Sequence, residues 1–108
     1  MTIQELMKES WQTSKDKGWH DVPKSLAEDI AMMHSELSEA LEEVRKGLMP
    51  SYLYFVGAKP EGVPAEFADV VIRMVDVCEQ WGIDLEAAIS AKLEYNKTRP
   101  YRHGGKAL

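Results

Sequence analysis

Two pairs of acidic residues recur at one spacing in this chain of 108 residues: Glu36-Leu37-Ser38-Glu39 and Glu66-Phe67-Ala68-Asp69. Residues three apart are neighbours on a helix surface, so each pair aims two carboxylates the same way. At about 100° per residue, Glu36, Glu39 and Glu43 occupy one sector beside an apolar stripe of Met33, Leu37, Leu41 and Val44. Glu66, Asp69 and Arg73 stand in the same relation to Phe67, Met74 and Cys78. If the two helices pack along these stripes, four carboxylates converge on one side of the interface, and that much negative charge shares a small volume only with cations. A site of oxygen ligands alone suits Mg²⁺, with Mn²⁺ as a substitute. The competing reading is a set of solvated helix-face acids, which helices carry freely. Recurrence of the pair on consecutive helices separates this sequence from one with a lone ExxE.

Other site chemistries find less support. A carboxylate-bridged di-iron bundle needs Glu-x-x-His repeats on facing helices, and His20, His34 and His103 stand at that spacing from no glutamate. His34 reads as a packed or surface histidine. Cys78, the only cysteine, lies on an apolar stripe and reads as a small hydrophobe rather than a nucleophile. A single cysteine also excludes an internal disulfide and a cysteine zinc cage, and it fits a reducing, cytoplasmic compartment.

The acids depend on helices to position them, and four segments carry helical periodicity between start and stop signals. The first opens on Thr2 with Glu5 three residues on, a capping-box pattern, and closes near Gly18; Ile3, Leu6, Met7 and Trp11 supply part of its apolar face. The second opens on Ser25 with Glu28, runs to about Lys46 and ends at Gly47, with Leu26, Ile30, Met33, Leu37, Leu41 and Val44 expected inward. The third runs from Pro64 to Trp81 before Gly82, with Phe67, Val70, Val71, Met74, Val75 and Cys78 expected inward. The fourth begins after Asp84 and stops at Pro100. No useful run of period two exists, so no strand is expected. The stretch from Gly47 to Val63, with Tyr52, Tyr54 and Phe55 inside it, reads as a long loop of the kind that is functional, an interface or mobile. Helices two and three pairing antiparallel, flanked by one and four, predict one all-α, four-helix-bundle-like domain over residues 1–108.

Composition agrees with a globular domain: 44% apolar and 29% charged residues, with few Gly and Pro. No apolar run approaches membrane-spanning length, and the N-terminus lacks a signal-peptide layout, so a soluble, unprocessed chain is expected. The net charge of −5 argues against a nucleic-acid coat or a basic membrane-surface helix. That acidity is uneven. Setting Glu36, Glu39, Glu66 and Asp69 aside leaves the chain nearly neutral, while Lys92, Lys97, Arg99, Arg102 and Lys106 face Glu94 alone in the last stretch.

On the fourth helix, Leu85, Ile89 and Leu93 mark the apolar side, and Lys92 and Asn96 fall in the middle of it. Burying an ammonium or an amide without a partner costs several kcal/mol, so a partner is expected: a carboxylate of the acidic cluster or a ligand's phosphate. Arginine clamps phosphate oxygens in pairs, lysine acts as a point charge, and Gly104-Gly105 permits close backbone approach. A solvated basic tail is the competing reading. With neither a P-loop nor a GxGxxG present, nucleotide binding would rest on metals and side chains.

Three segments in order, His34-Ser35-Glu36-Leu37-Ser38-Glu39-Ala40-Leu41-Glu42-Glu43, Glu66-Phe67-Ala68-Asp69-Val70-Val71-Ile72-Arg73 and Tyr95-Asn96-Lys97-Thr98-Arg99-Pro100, resemble the MazG-like all-α nucleoside triphosphate pyrophosphohydrolases. The resemblance covers roughly residues 18 to 106, and its signature is an ExxE, a spacer and an ExxD; here 26 residues separate Glu39 from Glu66. It implies a Mg²⁺-dependent hydrolase that converts a nucleoside triphosphate to the monophosphate and pyrophosphate. Glu36, Glu39, Glu66 and Asp69 would be the metal ligands, and Glu39 or Glu43 would orient or deprotonate the attacking water. Lys92, Asn96 and Arg99 would contact phosphates, with Arg102 and Lys106 as further candidates. Homodimers or homotetramers, with sites completed near subunit interfaces, would be the assembly. Trp11, Trp19, Tyr52, Tyr54 and Phe55 are candidates to stack on a base, though aromatics at such positions also serve core and interface. A non-catalytic nucleotide-binding or dimerisation module, and hydrolysis of a related metabolite such as phosphoribosyl-ATP, stay open beside the enzyme.

Overall fold

The computed structural model describes residues 1–101. Its elements, in chain order, are α1 (Ile3–Asp16), α2 (Leu26–Arg45), β1 (Tyr54–Val56), β2 (Lys59–Glu61), α3 (Val63–Trp81) and α4 (Leu85–Lys97). All four expected helices form, and their ends follow local chemistry. The Ser25 hydroxyl accepts from Glu28 N–H while the Glu28 carboxylate reaches back to Ser25 N–H, closing the capping box on both sides. At α1 only half of the expected box is present: Thr2 accepts from Glu5 N–H, and the Glu5 carboxylate accepts from the Thr2 hydroxyl instead of from a backbone N–H. Asp84 caps α4 through Ala87 N–H at 3.0 Å. Gly82, at φ +67°, ends α3, and Ile83 N–H turns back to Cys78 carbonyl at 2.9 Å.

The expected long loop contains a hairpin. β1 and β2 are antiparallel, with Tyr54 opposite Glu61 and Val56 opposite Lys59, joined through Gly57-Ala58. Strands of three residues are too short to display a period of two, which hides them from a periodicity reading. The chain leaves β2 straight into α3 through Gly62, at φ +105°, where a Cβ would lie 2.2 Å from the Tyr52 carbonyl oxygen. Only glycine fits there.

Helix α3 is the centre of the fold, with α1 against one side and α2 against another. Met7, Val75 and Cys78 are buried together, with Ile3, Leu6 and Leu85 packed around them, which bears out the apolar role expected for Cys78. A buried polar network ties the α1–α2 linker down: Asp76 receives the Ser14 hydroxyl at 2.7 Å and meets His20 Nε2 at 3.0 Å.

The α2–α3 seam overturns the expected packing. The least exposed residues of α2 are Leu26, Asp29, Met33, Glu36, Ala40 and Glu43, a helical stripe that carries acids. Val63, Glu66, Val70, Arg73 and Val77 face it from α3. The expected inward residues Ile30, Leu37, Leu41 and Val44 are instead 46–54% exposed, and Phe67, Val71 and Met74 are exposed as well. The helices meet through small and paired polar residues, because Ala40 permits close approach and Arg73 neutralises Glu36 at 2.9 Å. Their bulkier apolar stripes turn outward and stay exposed among the described residues. The accessible surface is 8174 Å², against about 6,000 Å² for a compact monomer of 12.2 kDa. A radius of gyration of 16.6 Å, against about 13 Å for a compact chain of this length, says the same.

Helix α4 departs from expectation too. It rests on α1, with Leu85 against the core, but none of its residues is buried. Lys92 and Asn96 therefore do not sit in a core; the Lys92 ammonium lies 5.3 Å from the Tyr95 ring centre. Among the described residues, no helix is long and apolar enough to cross a membrane.

Candidate metal centre

Carboxylate oxygens of Glu36, Glu39 and Glu66 lie within 4.8 Å of one another. Glu36 and Glu39 come from neighbouring turns of α2. Glu66 comes from the first turn of α3, where the helix dipole favours an anion. Glu66 is the deepest, 8% exposed, and its Oε2 is buried without a hydrogen-bond partner. Burial first, then a hydrogen bond shared with Glu39 and the charges of Glu39, Asp69 and Glu61, push the Glu66 carboxyl up to about 7. Asp69 stands outside the tight group, on the exposed side of α3; partial burial and the charges of Glu36 and Glu39 push its carboxyl up, with Lys59 and Arg73 offsetting. Carboxylates that hold each other's protons in this way are what a divalent cation relieves. Arg73 donates from Nε at 3.2 Å and Nη2 at 2.9 Å to Oε1 of Glu36, which fixes that carboxylate's orientation.

A second group shares Glu66. Oxygens of Glu43, Glu61 and Glu66 also lie within 4.8 Å of one another. Glu43 is buried and accepts from Lys46 Nζ at 3.0 Å and from Tyr54 Oη at 3.1 Å. Glu61 accepts from Lys59 Nζ at 3.0 Å. The hairpin thus brings Glu61, Tyr54 and Lys59 to the carboxylates, and the sequence reading assigned none of the three to that role. Glu61 escaped because nothing in its spacing from Glu66 is helical; only the hairpin and the turn at Gly62 carry it there. Arg73 was legible in the acid sector of its helix, though not as the partner of Glu36.

Of the five aromatic candidates, Trp19 lines a cleft that Glu36, Asp69, Arg73 and Asp76 also line. Trp11 is stacked on His20 with ring centres 5.8 Å apart and donates to Gln80, and Tyr54 is stacked on Tyr52 while serving Glu43. Phe55 is exposed on the hairpin. Of the proposed phosphate contacts, Lys92 meets Tyr95 on its own helix, and Asn96 is exposed on α4. Arg99 follows the end of α4, while Arg102 and Lys106 lie outside the described residues. Comparison with protein-family models, with curated proteins and with solved structures finds no match.

Proposed function

We propose that this protein is a Mg²⁺-dependent nucleoside triphosphate pyrophosphohydrolase of the MazG-like kind, clearing surplus or non-standard nucleotides in the cytoplasm. One observation carries the reading: three carboxylates from two helices converge within 4.8 Å, and the innermost has a buried oxygen with no partner. A donor set of oxygens alone, strained by its own charge, fits Mg²⁺ or Mn²⁺. Glu36, Glu39 and Glu66 would hold the ion, with Asp69 beside them. When bound, the ion supplies Lewis acidity toward phosphate oxygens and neutralises charge developing on the leaving pyrophosphate.

The residues around it divide the remaining work. Arg73 holds Glu36 in its ligating orientation. Glu39, exposed at the mouth of the group, is the carboxylate within reach of solvent and orients the attacking water or takes its proton. Glu43 is less suited to that task, because both its oxygens accept hydrogen bonds at the buried end. Trp19 is placed to stack on a base from the adjoining cleft. Lys92, Asn96, Arg99, Arg102 and Lys106 would contact phosphates after self-association into a homodimer or homotetramer, which would bring α4 of one copy toward the carboxylates of another. The surplus of roughly 2,000 Å² of surface over a compact monomer matches the area that such assemblies bury.

The test is a panel of common and modified ribo- and deoxynucleoside triphosphates with Mg²⁺ or Mn²⁺, reading pyrophosphate and orthophosphate separately. Metal-dependent pyrophosphate release from at least one substrate is expected. Thermal stabilisation by nucleotides with no pyrophosphate release across the panel would leave a binding module instead.

A further inference from the structure

We propose that Glu43, Glu61 and Glu66 form a second divalent-cation seat, fused to the first through Glu66, with the β1–β2 hairpin contributing one of its ligands. Three separate elements deliver these side chains: the last turns of α2, the end of β2 and the first turn of α3. Their oxygens come within 4.8 Å of one another, and Glu43 and Glu66 are buried. Glu66 belongs to both groups of acids and its Oε2 is buried without a partner, so a carboxylate that serves both seats has a use for each of its oxygens. Bridging carboxylates of this kind let two hard cations sit close together.

The existing partners of these acids suit outer-sphere duty. Tyr54 and Lys46 each hold one oxygen of Glu43, and Lys59 holds one oxygen of Glu61. Carboxylates that ligate metals are themselves oriented by such hydrogen bonds and keep further lone pairs for the ion. The two ammonium groups are also replaceable, since the Lys46 and Lys59 side chains are 55% and 75% exposed and can turn into water. Glu61 has less freedom. It is paired in register with Tyr54, and the next residue is Gly62, whose backbone passes too close to Tyr52 for any side chain. The hairpin therefore presents Glu61 to α2 and α3 in a fixed position.

The second seat rests on the first only through Glu66, and a metal titration separates them. Mn²⁺ binding to the full chain, followed by electron paramagnetic resonance and calorimetry, is expected to give two ions per protomer. Glu61→Gln and Glu43→Gln should each retain one ion and weaken the other at least tenfold. Glu36→Gln should show the converse loss, and Glu66→Gln should weaken both. A wild-type stoichiometry of one, or two ions undiminished in Glu61→Gln, overturns the second seat while leaving the first. No Mn²⁺ binding at all overturns both. The wild-type stoichiometry decides even if a variant fails to fold.

Discussion

The acidic seam between α2 and α3 and the basic stretch that begins at Lys92 were expected to share a partner, a carboxylate or a ligand's phosphate, yet one chain builds them to different degrees of completion. Along the seam, three carboxylates are placed by neighbours: Arg73 on Glu36, Tyr54 and Lys46 on Glu43, Lys59 on Glu61. On α4, no residue is buried, and Lys92 is satisfied by a ring on its own helix. The acids are brought together by contacts within one chain, whereas Lys92 and Lys97 stand on a helix with no buried residue.

The sharpest break of this contrast is in turnover. Glu39→Gln should lower pyrophosphate release by about a thousandfold or more with helicity intact, because it removes a ligand from the proposed metal centre. Lys92→Ala should cost about ten- to a hundredfold, the loss of one phosphate contact. Equal losses would place both residues in one preassembled site, and unaltered turnover in Glu39→Gln would remove the metal centre. Self-association is the next largest effect. Leu41→Lys places a charge in the outward apolar stripe, so it should shift wild-type dimers or tetramers to monomers in sedimentation, with turnover falling as α4 loses its site. A monomeric wild type would break the link between the two regions.

The smallest effect is on pH-dependent stability without metal. The Glu66 carboxyl is raised to about 7 in the fold from an ordinary value of 4.5. Between those values the folded state binds the proton more tightly than the unfolded chain, so stability is greatest on the acid side and falls as pH rises through about 7. The metal-free melting temperature should drop by roughly a few degrees from pH 5 to pH 8, a slope that Glu66→Gln flattens. Saturating Mg²⁺ at pH 8 should restore it, since the ion takes the proton's place. The same slope in Glu66→Gln as in wild type would show that Glu66 is not the group responsible.

How legible each feature was follows from how local its cause is. The four helices could be read because capping, glycine stops and the 3.6-residue period act within a few residues; Ser25 with Glu28, Pro64 and Gly82 all served as read. The convergence of Glu36, Glu39 and Glu66 was legible because i and i+3 share a face whichever partner that face meets. The choice of face was not. Hydrophobicity pointed to Leu37, Leu41 and Val44 as the α2–α3 contact, and the chain uses Glu36, Ala40 and Glu43 instead. Periodicity says which residues travel together and is silent about whether their partner lies in the same chain or in another copy.

Residue types and spacing by themselves determined a helical chain with two sets of acids and a basic end, because those depend on backbone geometry and charge count. Only the tertiary structure decided that Glu61 reaches Glu66, that Arg73 holds Glu36 and that the apolar stripes of α2 and α3 face outward. Those outcomes depend on a hairpin of two three-residue strands, a turn that admits only Gly62, and the close approach of two helices at Ala40. Each is a contact between separate elements, where packing rather than the propensity of one helix or strand sets the energy.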